Sequence, residues 1–128
     1  GWTLDEIKVD MPEPVTFDHE VKSDAITVPA GYAAGGKQMA YGISGGKTLI
    51  TMDFKAYIGA DEEFDSVNIK GVPPINNKIT PCVHGDHGTI AMTTNMIPHV
   101  INAEPGLKTM AELPPPHATP SHFGKYVK

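Results

Sequence analysis

The chain has 128 residues, 40% hydrophobic and 20% charged, with a formal net charge of −5; that is enough for one domain with one core and too little for two well-developed ones. The acidic balance, without any cluster of Lys and Arg, excludes a nucleic-acid partner, which would need cations gathered against phosphate. The single cysteine, Cys82, excludes an intrachain disulfide, and the lack of a long apolar run or a signal-peptide h-region excludes a membrane span, so the expected location is cytoplasmic.

The opening GWTLDEIKVD lacks an initiator methionine, and Thr3 with Glu6 has the spacing of a helix capping box. Either Gly1 follows a removed segment or it continues a longer protein. Residues 11–36 are dense in Pro and Gly, so only short strands are expected there, at Val15 to Phe17 and Ala25 to Val28. Met39, Tyr41 and Ile43 alternate with Gln38, Ala40 and Gly42; Ile50, Met52, Phe54, Ala56 and Ile58 alternate with Thr51, Asp53, Lys55 and Tyr57. Between them SGGK supplies two glycines for positive backbone angles, which predicts a hairpin. FDSVNIKG, with Phe64, Val67 and Ile69, is read as a third strand, giving an antiparallel meander with one buried face.

GDHGTIAMTTNMIPHVINA predicts one main helix, N-capped by Asp86, whose Ile90, Ile97, Val100 and Ile101 form an apolar stripe that should cover the sheet. Asn102, Pro105 and Gly106 should end it, before at most one further turn and a proline-rich tail. The expected class is α+β, an antiparallel or mixed sheet covered on one face by this helix. Pro98 has no amide proton to offer the Thr94 carbonyl, so it is expected to end the first helical segment and bend the chain away from the sheet.

Cys82, His84, His87 and Met92 are soft ligands suited to copper or zinc, but they lead straight into a helix rather than onto strands of a β-sandwich, and the expected metal set is none. GYAAGG at Gly31 to Gly36 precedes a strand, not a helix start, and is read as turn chemistry rather than a phosphate cradle. The amides at Asp86 to Thr89 are different, because partial positive charge collects at a helix start and an anionic group could bind there. His19, His99, His117 and His122 are scattered, and only His99 shares a helix with a polar partner, Asn95, four residues earlier. No Ser-His-Asp set or carboxylate pair is defined by spacing.

The order VPAGYAAGGKQMAYGISGGK, DSVNIKGVPPI and HGDHGTIAMTTNMIPHVINAEPGLKTMAELPPPHA resembles the C-terminal half of the dihydrodipicolinate reductase-like family, in its 2,4-diaminopentanoate dehydrogenase branch. The likeness runs over about residues 1–118, with Pro98, Pro105, Gly106, Leu107, Met110 and Leu113 at the family's spacing. It implies that residues 1–128 are a single domain for substrate binding and oligomerisation, whose partner Rossmann domain holds NAD(P) and is not in this sequence. With no strand-GxGxxG-helix unit here, the chain alone is expected to bind no cofactor and to be inactive. The implied reaction is reversible hydride transfer at an amine-bearing carbon of a small amine or amino acid, followed by hydrolysis of the imine to a ketone and ammonia. The resemblance suggests Gly85, Asp86, His87, Thr89 and Asn95 as substrate contacts and Pro98, Pro105 and Gly106 as structural residues, and it assigns no catalytic acid or base. A homo-oligomer is expected, with Asp53, Lys55 and Tyr57 on the joining face and Asp53 of one subunit near Lys55 of another. The alternative is a non-enzymatic self-assembling or small-ligand-binding module.

Overall fold

The computed structural model describes residues 2–127, so Gly1 lies outside the described residues. In chain order the elements are β1 (Glu6–Val9), β2 (Glu13–Thr16), β3 (Val21–Lys22), β4 (Thr27–Val28), β5 (Ala33–Ser44), β6 (Lys47–Tyr57), β7 (Asp65–Ile69), β8 (Ile75–Ile79) and α1 (Gly85–Ile101), then a short 3-10 turn at Phe123–Lys125. The class is α+β, as the alternation and the single helical stripe predict. Two units form, the first running to Asp61 and the second beginning at Glu62.

The first unit is built on the β5–β6 hairpin. Gly45 and Gly46 take φ of 56° and 72° at its tip, the pair of positive angles a two-residue hairpin turn requires. The Asp5 carboxylate accepts the Gly45 amide at 2.5 Å. β5 is long enough for one edge to pair with both β1 and β2 in succession, while its other edge pairs with β6, all antiparallel. β1 corrects the reading of Thr3 and Glu6 as a helix start. EIKV alternates, and each of its residues is paired to β5, from Glu6 opposite Ile43 to Val9 opposite Ala40.

Residues directly opposite one another in an antiparallel pair share a face, so the register sorts the whole sheet. Ile7, Gly42 and Ile50 form one row and Val9, Ala40 and Met52 the next; Phe54 faces Gln38 and Ala56 faces Gly36. The opposite face carries Lys8, Tyr41 and Thr51, then Met39 and Asp53, then Glu13, Lys37 and Lys55. The first face is apolar and open: Ile7, Met52 and Phe54 are 71%, 60% and 58% exposed. Ile50, Met52 and Phe54, which were expected to be buried, are thus exposed. The core of this unit sits elsewhere, where Val21, Val28 and Ala34 are buried with Phe17 and Ile58 packed on them.

In the second unit β7 pairs with β8, not with β6, which corrects the three-strand meander. The connection between β7 and β8 is five residues long, within the range of a hairpin loop. α1 starts one residue after its N-cap, His84, so the expected Asp86 cap is also corrected; no side chain caps this end. The helix runs through Pro98 to Ile101, closed by the Asn102 amide donating to the Pro98 carbonyl at 3.1 Å. Pro98 therefore does not end it. Its missing amide costs one bond, to Thr94, and Pro98, like Met96, is buried. Ile90, Ile97, Val100 and Ile101, the expected apolar stripe, are exposed. No helix among the described residues is long and apolar enough to cross a membrane.

Candidate functional site

The helix start is assembled from the end of β8, the loop after it and the first turn of α1. The Asp65 carboxylate, at the head of β7, accepts the Val83 amide at 2.8 Å and ties this loop to the hairpin. The first intrahelical bond runs from the Gly88 amide to the His84 carbonyl at 2.9 Å. The amides of Gly85, Asp86 and His87 come before it, so they have no acceptor within the helix and carry its partial positive charge. Asp86 lies in this first turn without capping it. The imidazoles of His84 and His87 lie 4.7 Å apart, tilted by 37°, and both are exposed. Thr89 donates its hydroxyl to the Gly85 carbonyl at 2.9 Å. Backbone amides and two imidazoles thus converge between His84 and His87, a donor set suited to a carboxylate, while the Thr89 hydroxyl is committed to the Gly85 carbonyl.

Asn95 does not join them. Ten residues along the helix from Gly85, it stands about 15 Å away at 1.5 Å per residue, and its side-chain oxygen accepts the Thr119 amide at 3.2 Å. Asn102, seven residues further, donates to the Tyr126 carbonyl at 2.6 Å. Between them the His99 ring meets that of His117 at 5.2 Å, edge to face, and His117 meets Tyr126 at 6.5 Å. Asn95, His99 and Asn102 fall on one stripe of α1, and the C-terminal segment is fastened along it. Pro105 and Gly106 follow the helix end, with Gly106 at a φ of 137°. Sequence reasoning missed Asp65 and this fastening, since the bonds join residues 18 and 24 positions apart and leave no periodic trace.

Glu112 closes the turn after the helix by accepting the Thr109 amide and hydroxyl, each at 2.8 Å. The backbone bond, then the hydroxyl bond, hold its carboxyl below the usual range. A carboxylate with a lowered folded-state pKa stabilises above its unfolded value and loses that contribution as pH falls through the lowered one. Hydrogen exchange at the Thr109 amide, corrected for intrinsic rate, should therefore stay slow at neutral pH and quicken on acidification below the normal carboxylate range. In Glu112→Gln that pH dependence should vanish.

On the charged face of the first unit, Lys55 reaches Asp53 of its own strand at 2.7 Å, and Lys37 reaches Glu13 at 3.1 Å. The hydrogen bond that Lys55 donates to Asp53, then the charge of that carboxylate, raises the Lys55 pKa. Tyr57 lies on the same face, opposite Gly35.

The described residues contain no Rossmann-type dinucleotide cradle. The strand before α1 is antiparallel to its neighbour, and the connection TPCVH contains no glycine, whereas the dinucleotide cradle needs a parallel βαβ unit with glycines before the helix. No group of three His, Cys, Asp or Glu able to hold a metal occurs among the described residues.

A family model, the 2,4-diaminopentanoate dehydrogenase C-terminal domain, matches residues 1–128. A 2,4-diaminopentanoate dehydrogenase of Acetoanaerobium sticklandii is 40% identical over 127 residues, which cover 96% of this chain and 36% of that protein. The chain thus spans about a third of the length of the relative it matches. With the match running from the first residue to the last, this chain belongs to the family of 2,4-diaminopentanoate dehydrogenase C-terminal domains.

Proposed function

We propose that this chain is the assembly and substrate-holding part of an NAD(P)-dependent oxidoreductase that acts on a small amine or amino acid of the diaminopentanoate kind. The observation that carries the assembly role is the open sheet face of Ile7, Val9, Ile50, Met52 and Phe54, all exposed. Full burial of a side chain of this size is worth about 1.5–3 kcal/mol, and a row of them left in water is a surface made to be covered. The charged face of Asp53, Lys55 and Tyr57 is the weaker choice, because its lysines already have carboxylate partners within the chain. A second copy meeting the apolar face through a two-fold axis would satisfy both.

The helix start holds the substrate carboxylate, with the amides of Gly85 to His87 and the His87 ring as donors and Thr89 bracing the first turn. The nicotinamide, which supplies the hydride chemistry when bound, is held by residues outside this chain. In the intact enzyme, His87→Gln and Thr89→Val should each raise KM for the amino-acid substrate about tenfold, the loss of roughly 1.4 kcal/mol of binding, with kcat within a few-fold of the parent. Steady-state kinetics decide this, and an unchanged KM in both variants would remove the helix start from the site.

A further inference from the structure

Residues 117–126 are clipped to α1 at three points along one stripe of the helix. Asn95 accepts the Thr119 amide and Asn102 donates to the Tyr126 carbonyl. Between these bonds the His117 ring meets the His99 ring edge to face, with centroids 5.2 Å apart. The outer clips join groups that carry no charge, whereas the middle one joins two titratable rings. His99 Nε2 is shielded from solvent and has no hydrogen-bond partner among the described residues. A neutral imidazole tolerates that, because its single proton can sit on Nδ1 and leave Nε2 as an idle acceptor. An imidazolium carries a proton on each nitrogen. The one on Nε2 would meet neither water nor an acceptor, and the charge would be left poorly solvated. Should His117 be charged as well, like charges would face each other across the same 5.2 Å.

The other charges near His99 do not reverse this sign. Glu104, Lys108 and Glu112 line the cleft beside it, yet none of them forms an ion pair with its ring among the described residues. The last carbonyls of α1 favour a cation. All of these belong to the helix or to the turn after it, so they act on His99 whether residues 117–126 are docked or not. Docking itself adds His117 and Tyr126, and tyrosine is neutral throughout the histidine range.

We propose that residues 117–126 are a proton-sensitive strap, docked on α1 while His99 is neutral and released when it is charged. Docking and protonation of His99 exclude one another, so the docked state is favoured above the histidine range and is lost as pH falls through it. Histidine in water is half protonated near a pH of about 6.5, so exclusion of one proton makes docking about tenfold less favourable one unit lower. Release uncovers the stripe of Asn95, His99 and Asn102. It leaves the Glu112 bonds to Thr109 in place, since these are lost only on further acidification, below the carboxylate range. The strap is independent of the substrate reading above, which uses the other end of α1.

Hydrogen exchange at the Thr119 amide of the intact protein, corrected for intrinsic rate, tests this. Its protection should fall about tenfold between a pH of about 7.5 and one of about 5.5, while the Thr109 amide stays protected. His99→Phe keeps a ring for the edge-to-face contact but takes no charge, and it should hold the Thr119 protection constant over that range. His122→Gln, at an exposed position within the strap, should keep the pH dependence of the parent. Protection that does not change with pH in the parent overturns the proposal, and this holds even if His99→Phe does not fold. So does a fall that His99→Phe retains, or one that His122→Gln removes.

Discussion

Gly35→Ala is expected to destabilise the first unit by about 3 kcal/mol or more, among the larger losses a single added methyl produces. Gly35 sits in β5 at a φ of 152°, paired with Val15 on one side and Tyr57 on the other. A Cβ there would overlap the Ala56 carbonyl oxygen and stand 2.5 Å from Tyr57 Cα. Both are backbone atoms of the neighbouring strand, so relief requires β6 to move rather than a side chain to turn. Moving it would disturb the Ile58 amide bond to the Ala34 carbonyl, 3.0 Å long, and with it the buried Ala34. Chemical denaturation should show a lower midpoint at an unchanged slope. Gly45→Ala is the useful comparison, since its Cβ meets nothing within 4 Å and only the backbone angle is strained.

Where local chemistry decided the structure, the sequence was legible. The β5–β6 hairpin follows from period-two alternation and two glycines able to take positive φ, and α1 follows from its length and helical period. β8 was not legible, because INNKI carries too little apolar alternation to announce a strand and exists through its pairing with β7. β1 was misread because a T-x-x-E spacing suits a helix cap only where a helix follows, and pairing with β5 overrode it. The start of α1 slipped by two residues because no side chain caps it, so the rule that pointed to Asp86 had nothing to detect. Pro98 was expected to end the helix, yet the helix continues through it to Ile101 and gives up the one bond that an amide there would have made to Thr94.

The candidate site divided in the same way. Gly85 to Thr89 are contiguous, so any helix start brings them together, and their convergence was readable from spacing. Asn95 was grouped with them by family resemblance, yet its helical position sets it well down the axis and its side chain is engaged by Thr119. Contacts of that kind depend on where the tail runs after three consecutive prolines, and no local pattern encodes that path.

Phe54→Glu should dissociate the assembled protein. Phe54 lies on the open face between Met52 and Ala56, 58% exposed in the single chain, so the change has little native packing to disturb within one subunit. In a two-fold interface each copy loses the burial of one aromatic side chain and gains a carboxylate that must be desolvated. Two copies at about 2 kcal/mol each give roughly 4 kcal/mol, close to a thousandfold in dissociation constant. Lys55→Glu, on the opposite face of the same strand, breaks the pair with Asp53 but should leave the assembly in place. The direct measurement is the solution mass by light scattering, at concentrations on the order of 10 µM, for the parent, Phe54→Glu and Lys55→Glu. A dimer or larger species for the parent and Lys55→Glu, with a monomer for Phe54→Glu, is the predicted result; a parent mass retained by Phe54→Glu, or a monomeric parent, would contradict it.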